Sequence, residues 1–214
     1  MDLDYSINGE VSRFIYIKNI LSPADLKSMG IWLQNKSFIS GKCISGKEIP
    51  RKQLWYHNEG KYFCDTWKVK YDRWKSHKYD PVLLEFQNKI NTIVNEKLNN
   101  NIFFNSCLIN YYRNGEDTIK PHRDTPDSFG TYPIIANYSY GTTRKMLIKK
   151  IDYNPDNLNS LKHDKKDHMN IDINLEHNSL LIMSGGSQKY FTHEIPISNT
   201  NLSRVSFTFR KHIS

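Results

Sequence analysis

The chain has 214 residues, 38% of them hydrophobic and 24% charged, which predicts one globular domain with a real core and not a disordered chain. Its 30 Lys and Arg against 22 Asp and Glu give a formal net charge of +8, which favours a polyanionic partner, although a merely soluble basic surface would carry the same charge. The 3 cysteines are scattered and no apolar run is long enough to span a bilayer. We therefore expect an intracellular protein, nuclear or cytoplasmic, that is neither secreted nor inserted in a membrane.

The first half of the chain predicts one strand and two helices. The strand is expected from Arg13 to Ile17. Ser22-Pro23 is typical of a helix start, and apolar residues at helical spacing extend this helix to about Asn35. Asp80-Pro81 begins a second helix with an apolar face, which ends at Asn99-Asn100-Asn101.

The segment between these helices is turn-rich over residues 38–63 and basic and aromatic over residues 67–78. Rings interleaved with cations are typical of a surface that stacks on bases and meets phosphate. A hairpin packed on its own aromatic side chains, or a loop anchored to the core by tryptophans, would look the same. The residues alone leave these interpretations open.

The second half of the chain consists mostly of predicted strands, so we expect the α+β class. The strands are Phe104–Tyr112, Ile134–Tyr140, Lys145–Ile151, Ile171–Leu175, Ser179–Met183 and Val205–Arg210. We divide the chain at residue 104, with helices and a lid in 1–104 and the strand core in 105–214, as parts of a single domain. Residues 153–170 interrupt the pattern. Their His163 and His168 could indicate a second metal site, but a solvated polar loop is the better interpretation.

Candidate metal ligands occur in this strand-rich half. His122 and Asp124 lie two residues apart, so on extended backbone their side chains project to the same side. The best third ligand is His193, which follows a predicted strand and turn. Two imidazoles and one carboxylate that leave coordination positions open are typical of a non-haem Fe(II) oxygenase and not of a closed structural zinc site.

The last predicted strand alternates polar and apolar residues with a period of two. Its polar face consists of Arg204, Ser206, Thr208 and Arg210, and its apolar face of Val205, Phe207 and Phe209. Two arginines on one strand face are costly to bury unless they meet an anion. A dicarboxylate cosubstrate would supply that anion, since a guanidinium group matches a carboxylate bidentately.

Together these residues resemble the AlkB-type Fe(II)- and 2-oxoglutarate-dependent dioxygenases, in particular the members that dealkylate nucleic acids. The resemblance covers roughly residues 49–210. Its motifs, in the order of the family, are Pro50-Arg51-Lys52-Gln53, Asn110-x-Tyr112, His122-x-Asp124, Pro133-Ile134, Ser139-x-Gly141-x-x-Arg144, Gly185-Gly186-x-Gln188, His193 and Arg204-x-Ser206-x-Thr208-Phe209-Arg210.

The resemblance implies a fold and a set of site residues. The fold is a double-stranded β-helix, or jelly roll, with the two helices packed on one sheet and a nucleotide-recognition lid. The implied catalytic iron ligands are His122, Asp124 and His193, and the implied substrate residues of the lid are Arg51, Tyr56 and Tyr62. The residues implied to bind 2-oxoglutarate are Asn110, Tyr112, Arg204, Ser206, Thr208 and Arg210, with Arg204 on the distal C5 carboxylate and Arg210 near the C1 end. Ser206 stands where the family more often has asparagine.

The implied activity is oxidative demethylation of N-alkylated bases such as 1-methyladenine and 3-methylcytosine in DNA or RNA. It consumes 2-oxoglutarate and O2 and releases succinate, CO2 and formaldehyde. Relatives that open duplex DNA carry a bulky apolar wedge on the hairpin before Pro50, where this chain offers only Ile44. We therefore expect a preference for single-stranded substrates. We also expect the protein to be a monomer. Thr125 follows the ligand aspartate where relatives have an acidic residue, which leaves the base preference open.

Two other functions remain as alternatives. An oxygenase of the same fold that acts on a protein or a small molecule would keep the ligands and arginines but would not need the basic aromatic segment. A nucleic-acid-binding module with a vestigial metal site would be expected to have lost His122, Asp124, His193 or Arg204, and this chain has lost none of them.

Overall fold

A computed structural model of the chain describes residues 1–42, 46–64, 75–154, 160–163 and 169–213. The strands are β1 Asp2–Ile7, β2 Glu10–Lys18, β3 Lys52–His57, β4 Ser106–Tyr112, β5 Ile119–His122, β6 Ile135–Gly141, β7 Arg144–Lys150, β8 Asn170–Leu175, β9 Ser179–Gly185, β10 Phe191–Ile195 and β11 Arg204–Arg210. The helices are α1 Pro23–Gln34, α2 Pro81–Leu98, and two single turns, α3 Pro126–Phe129 and α4 Ser187–Tyr190.

The strands form two antiparallel sheets. The major sheet has seven strands in the order β1-β2-β9-β6-β11-β4-β3, and the minor sheet has four in the order β5-β10-β7-β8. A buried apolar cluster joins the two sheets, with Phe14, Ile135 and Met183 from the major sheet and Ile148 and Phe191 from the minor sheet. This arrangement is consistent with the predicted jelly roll.

The other face of the major sheet shares a second buried cluster with α1 and α2. Met29 and Trp32 of α1 and Phe86 and Ile90 of α2 belong to the same cluster as Phe207 of β11. Both helices begin where the sequence predicts, because the side chains of Ser22 and Asp80 accept hydrogen bonds from the first-turn N–H groups. No helix in the described ranges is long and apolar enough to cross a membrane.

Residues 1–104 contribute β1, β2 and β3 to the same sheet that carries the C-terminal strand β11. β2 extends the predicted strand at both ends, while β1 and β3 are strands that the sequence did not predict. Cys107 is a free buried thiol and Cys64 is also buried. Several sequence features lie outside the described residues: Cys43, the wedge candidate Ile44, most of the basic aromatic run, and His168.

Candidate active site

The three predicted metal ligands meet at one point between neighbouring strands of the minor sheet. His122 is the last residue of β5, Asp124 follows two residues later, and His193 of β10 pairs directly with His122. One potential ligand atom from each residue lies within 4.8 Å of those of the other two. The described part of the chain contains no second group of this kind, so His163 has no metal-site partners there.

Both histidines are arranged to offer a lone pair to a metal. The Nδ1 of His122 lies 2.8 Å from the carbonyl oxygen of Lys120, to which the Nδ1–H can donate, leaving Nε2 free to coordinate. Burial lowers the pKa of His122 and takes the pKa of His193 well below its ordinary value. Both imidazoles are therefore neutral at physiological pH, which is the form that binds metals.

Asp124 is a buried carboxylate that is kept ionised by Arg210. Burial alone would raise the pKa of Asp124, but the charge of Arg210 and its hydrogen bonds bring the pKa below its ordinary value. Arg210 donates through Nη2 to Oδ1 at 3.0 Å and through Nε to Oδ2. The guanidinium lies over the rings of Phe63 and Phe129, 5.6 and 5.1 Å from their centroids. The predicted contact of Arg210 with the C1 end of 2-oxoglutarate stays a prediction, because the partner that the structure gives it is Asp124.

Arg204 is the second buried cation of β11 and has no carboxylate partner in the described structure. Its Nη2 donates to Ser139 Oγ at 2.8 Å and to Asn137 Oδ1 at 3.3 Å, while its Nε has no partner among the described residues. Burial lowers the pKa of Arg204 to about 10, so the group is still charged at neutral pH. A buried cation with an unused donor fits a ligand that carries a carboxylate.

One cavity of about 320 Å³ contains both the metal ligands and Arg204. Its wall includes all the residues that the resemblance assigned to iron and 2-oxoglutarate, which are His122, Asp124, His193, Asn110, Tyr112, Arg204, Ser206, Thr208 and Arg210. The volume suits a small-molecule ligand. The nitrogen and oxygen donor set with open positions fits Fe(II), and the buried guanidinium fits the far carboxylate of a dicarboxylate.

The predicted substrate residues are not brought together in the same way. Tyr56 is only 4% exposed and belongs to the cluster under the helices, with its ring centroid 6.2 Å from that of Trp32. Tyr56 is not among the residues that line the cavity, so its implied role as a substrate residue of the lid stays a prediction that its position does not support. Its register on β4, opposite Cys107, turns it away from the cavity, since both side chains belong to the helix-side cluster.

Arg51 and Tyr62 have different surroundings from Tyr56. Arg51 lines the cavity, where its Nε donates to Asn110 Oδ1 at 2.9 Å and its Nη1 donates to the carbonyl oxygen of Thr118 at 3.0 Å. These bonds use two of the five N–H groups of the guanidinium, and the role of Arg51 as a substrate residue stays a prediction. Tyr62 packs partly buried beside a small cluster that contains Trp55, and its role in a lid stays a prediction.

Several cavity residues were missed by the sequence analysis, among them Phe63 and Arg123. Arg144 belongs to the Ser139-x-Gly141-x-x-Arg144 motif, but its structural role was not predicted. Its buried guanidinium donates to the carbonyl oxygens of Asn114 at 2.9 Å, Gly115 at 3.3 Å, Asp117 at 2.9 Å and Pro196 at 2.6 Å. These contacts tie the loop before β5 to the segment after β10. The sequence feature that indicates this role is an arginine at the first position of β7, three residues after Gly141.

Comparison with known proteins gives one family. Residues 13–210 match the family model described as the 2OG-Fe(II) oxygenase superfamily. The alpha-ketoglutarate-dependent dioxygenase alkB homolog 3 of Homo sapiens is 34% identical over 133 residues, 62% of this chain and 43% of that protein. DNA oxidative demethylase ALKBH2 of Bos taurus is 28% identical over 165 residues, 76% of this chain and 53% of that protein. The chain thus spans about half the length of the curated relatives it matches.

Solved structures agree on the fold. OsALKBH1 has a TM-score of 0.60 and 16% identity, with 92% of this chain and 97% of that chain covered. A prolyl hydroxylase from Trichoplax adhaerens has a TM-score of 0.56 and 11% identity, with 93% and 83% covered. Identities this low show a shared fold and nothing finer. The family match and the sequence relatives establish that the chain belongs to the 2OG-Fe(II) oxygenase superfamily, among its AlkB-like members, whose metal and cosubstrate are Fe(II) and 2-oxoglutarate.

Proposed function

We propose that this protein oxidatively demethylates N-alkylated bases in DNA or RNA, the class that includes 1-methyladenine and 3-methylcytosine. The single observation that carries the proposal is the cavity in which a His-Asp-His cluster faces a buried arginine without a carboxylate partner in the described structure. The formal net charge of +8 supports a nucleic-acid partner. The names of the sequence relatives, dioxygenase and DNA oxidative demethylase, support the same reaction.

The proposed roles follow from the position of each side chain. His122, Asp124 and His193 hold Fe(II), and Arg204 holds the distal carboxylate of 2-oxoglutarate beside Tyr112, whose ring centroid lies 5.3 Å from its guanidinium. Bound iron supplies the activation of O2, with the electrons coming from oxidative decarboxylation of 2-oxoglutarate. One oxygen atom ends in succinate and the other on the N-methyl carbon, after which the C–N bond breaks, its electron pair stays on the ring nitrogen, and formaldehyde and the hydroxyl proton leave.

The surrounding residues keep the iron ligands in place. Arg210 holds both oxygens of Asp124, and the backbone N–H of Asp124 donates to Gln188 Oε1 at 3.0 Å. The strand pairing of β5 with β10 sets the two histidines opposite each other, with their ring centroids 4.2 Å apart. We propose that paired strands and the contacts of Asp124 hold the three metal ligands in position before the metal binds.

The methyl group of such a base lies on its Watson-Crick edge, so the base has to be unpaired before it enters the cavity. We propose that Tyr62 and the turn-rich segment around it form the lid over the base, in a monomeric intracellular enzyme. Since the hairpin tip offers only Ile44 as a wedge, little offsets the few kcal/mol that unstacking costs. We therefore propose a preference for single strands.

The direct test measures formaldehyde and succinate released by the Fe(II)-loaded protein. The substrates are methylated single-stranded DNA, methylated RNA and the same strands unmodified, and His122→Ala is the matched inactive control. We expect equal amounts of formaldehyde and succinate with a methylated strand only. Binding of 2-oxoglutarate without formaldehyde from either strand would instead favour the alternative, an oxygenase that acts on a protein or a small molecule.

A second test addresses strand preference. The same methylated sequence is presented single-stranded and in a matched duplex at one fixed salt concentration. We expect the single strand to be demethylated faster, and its binding to weaken as salt rises because counterion release contributes to affinity. An equal or faster duplex rate would mean that other residues supply the wedge.

A further inference from the structure

The short helix α4 contacts the segment that carries two of the metal ligands. The backbone N–H of Asp124 donates to the side chain of Gln188, with 3.0 Å between the nitrogen and Oε1. Arg123, which lies between His122 and Asp124, donates through Nη1 to the carbonyl oxygen of Lys189 at 3.1 Å. A shift of α4 would therefore move the acceptors that hold the backbone of this ligand segment.

Contacts outside α4 have to hold the helix in place. It has four residues, a single turn, and its N-cap residue Gly186 has no side chain that could cap it. A helix of this length is not stable on its own. The β1–β2 hairpin supplies part of the support, because the N–H of Gly186 donates to the carbonyl oxygen of Val11 at 2.9 Å. At Gly185, with a φ of +60°, an added Cβ would lie 2.0 Å from the same oxygen.

Lys189 is the side chain that reaches from α4 to this hairpin. Its Nζ donates to Oε1 of Glu10, the first residue of β2, at 2.6 Å and to the hydroxyl of Tyr132 at 3.2 Å. The ammonium also lies 5.1 Å from the ring centroids of Tyr153 and Tyr190 and 5.5 Å from that of Tyr132. The side chain of Lys189 is only 15% exposed, so solvent screens this ion pair less than a pair on the open surface.

We propose that Lys189 is a positioning residue for the metal site, whose pair with Glu10 couples the β1–β2 hairpin to the metal ligands through α4. The ion pair fixes α4 to the hairpin. The hydrogen bonds of Gln188 with Asp124 and of Arg123 with the backbone of Lys189 then fix the ligand segment to α4.

This coupling lies outside the features that identify the family. Glu10 precedes residues 13–210, which are the residues that match the family model. Neither Glu10 nor Lys189 belongs to the sequence motifs of the resemblance or lines the cavity of the metal ligands. The inference rests on the proposed metal ligands, but it does not depend on which substrate the protein acts on.

Four variants test the coupling. Lys189→Met removes the charge and keeps much of the length of the side chain, and Glu10→Gln removes the charge of the partner. Lys189→Arg keeps the charge and is the conservative variant. Arg13→Met is the matched control, because it removes an ion pair with Asp4 inside the same hairpin, where the side chains are 41% and 48% exposed.

The first readout is the dissociation constant of Mn(II) from the otherwise metal-free protein, and the second is the absorption spectrum of the Co(II)-loaded protein, which reports the arrangement of the ligands. We expect Lys189→Met to weaken Mn(II) binding by about tenfold, since loss of a contact that orients metal ligands costs about 10–100-fold in affinity. Glu10→Gln should act in the same direction, and both should alter the Co(II) spectrum. Arg13→Met and Lys189→Arg should stay near the wild type.

The double variant of Lys189→Met and Glu10→Gln tests whether the two residues act together. Both substitutions remove the same contact, so the double variant should bind Mn(II) no more weakly than Lys189→Met alone. Effects that add in full would show that the residues act separately and would overturn the coupling. Urea unfolding of each variant verifies that the protein is folded under the conditions of the titration.

Two further results would overturn the inference. One is an unchanged Mn(II) dissociation constant in both Lys189→Met and Glu10→Gln. The other is an equal loss of Mn(II) binding in Arg13→Met, which would indicate general loosening of the hairpin.

His122→Ala separates this inference from the proposed metal ligands. If His122→Ala loses Mn(II) binding while Lys189→Met and Glu10→Gln keep it, the metal ligands stand and only the coupling is overturned. If His122→Ala binds Mn(II) as tightly as the wild type, the ligand assignment and the coupling are both overturned.

Discussion

The two faces of β11 belong to different parts of the molecule although they share one backbone. The face with Arg204, Ser206, Thr208 and Arg210 lines the cavity, and the face with Val205, Phe207 and Phe209 lies in the cluster with the helices. All seven residues are buried. Burial alone therefore does not separate function from stability here. What separates them is what each side chain faces, the cavity on one face and packed rings on the other.

This difference has a thermodynamic consequence. The apolar face gains free energy on folding by removing rings from water. The polar face buries two guanidinium groups, which opposes folding unless an anion is close. Arg210 has Asp124, whereas Arg204 has only neutral acceptors among the described residues. We expect substitutions on the two faces to separate loss of activity from loss of stability.

The largest expected effect is on the metal ligands that the cavity face supports. Replacing His122, Asp124 or His193 by alanine removes an iron ligand, so turnover should fall to background, while circular dichroism still shows a folded protein in the two histidine variants. Asp124→Ala should also lose stability, because it leaves Arg210 buried without its partner. Formaldehyde release and Fe(II) binding measure the effect. If any two of the three variants kept activity, the metal assignment would have to be abandoned.

The next effect is expected on the apolar face. Phe207 is fully buried, with ring centroids of Phe86 at 5.3 Å and Trp32 at 6.0 Å. Phe207→Ala should lower the free energy of unfolding by about 3–5 kcal/mol, because it removes a large apolar side chain and leaves a cavity. Urea unfolding measures the change, with Phe207→Leu as a milder control. A loss of activity without a loss of stability would contradict the separation of the two faces.

A smaller effect is expected at the buried cation of the cavity face. Arg204→Lys keeps the charge but loses the planar pair of donors, so binding of 2-oxoglutarate should weaken by about 1–3 kcal/mol. Calorimetric titration with 2-oxoglutarate measures this in the Mn(II)-loaded protein, which does not turn over. An unchanged dissociation constant would mean that the distal carboxylate is held elsewhere.

The smallest effect is expected at Thr208, where Asn137 donates a hydrogen bond to Oγ1 at 2.9 Å. Thr208→Val keeps the shape and removes the acceptor. The free energy of unfolding should fall by about 0.5–1.5 kcal/mol, the net value of one hydrogen bond. A change as large as that of Phe207→Ala would show that the polar face contributes more to stability than its contacts indicate.

The sequence was sufficient for elements with strong local signals. Helices α1 and α2 start at capping residues with proline in the first turn, and their apolar positions repeat at helical spacing. The alternation in β11 predicted which of its residues line the cavity. By contrast, β1 was not predicted, although Asp2–Ile7 alternates polar and apolar residues and Asn8-Gly9, both at positive φ, is a typical hairpin turn to β2.

The site shows the same division between local and non-local information. His122 and Asp124 could be found by spacing, and His193 by its position after a strand and turn. Tyr56 could not be placed, because five of the six residues of β3 are buried and no polar alternation marks the face toward the cavity. Its side is decided by register on β4, which depends on residues far along the chain. The pairing of Arg210 with Asp124 is likewise non-local.

Arg144 binds carbonyl oxygens on both sides of the metal ligands, three in the loop before β5 and one just after β10. The two segments also approach so closely at Gly115 that an added Cβ would lie 1.8 Å from the carbonyl oxygen of Ser198. His122 and His193 are therefore fastened to each other through the backbone at the far end of their strands as well as by strand pairing. The spacing between the two imidazoles therefore depends on the Arg144 contacts and the strand pairing together. Substitutions on the neighbouring surface that leave these contacts intact should not change the geometry offered to a metal.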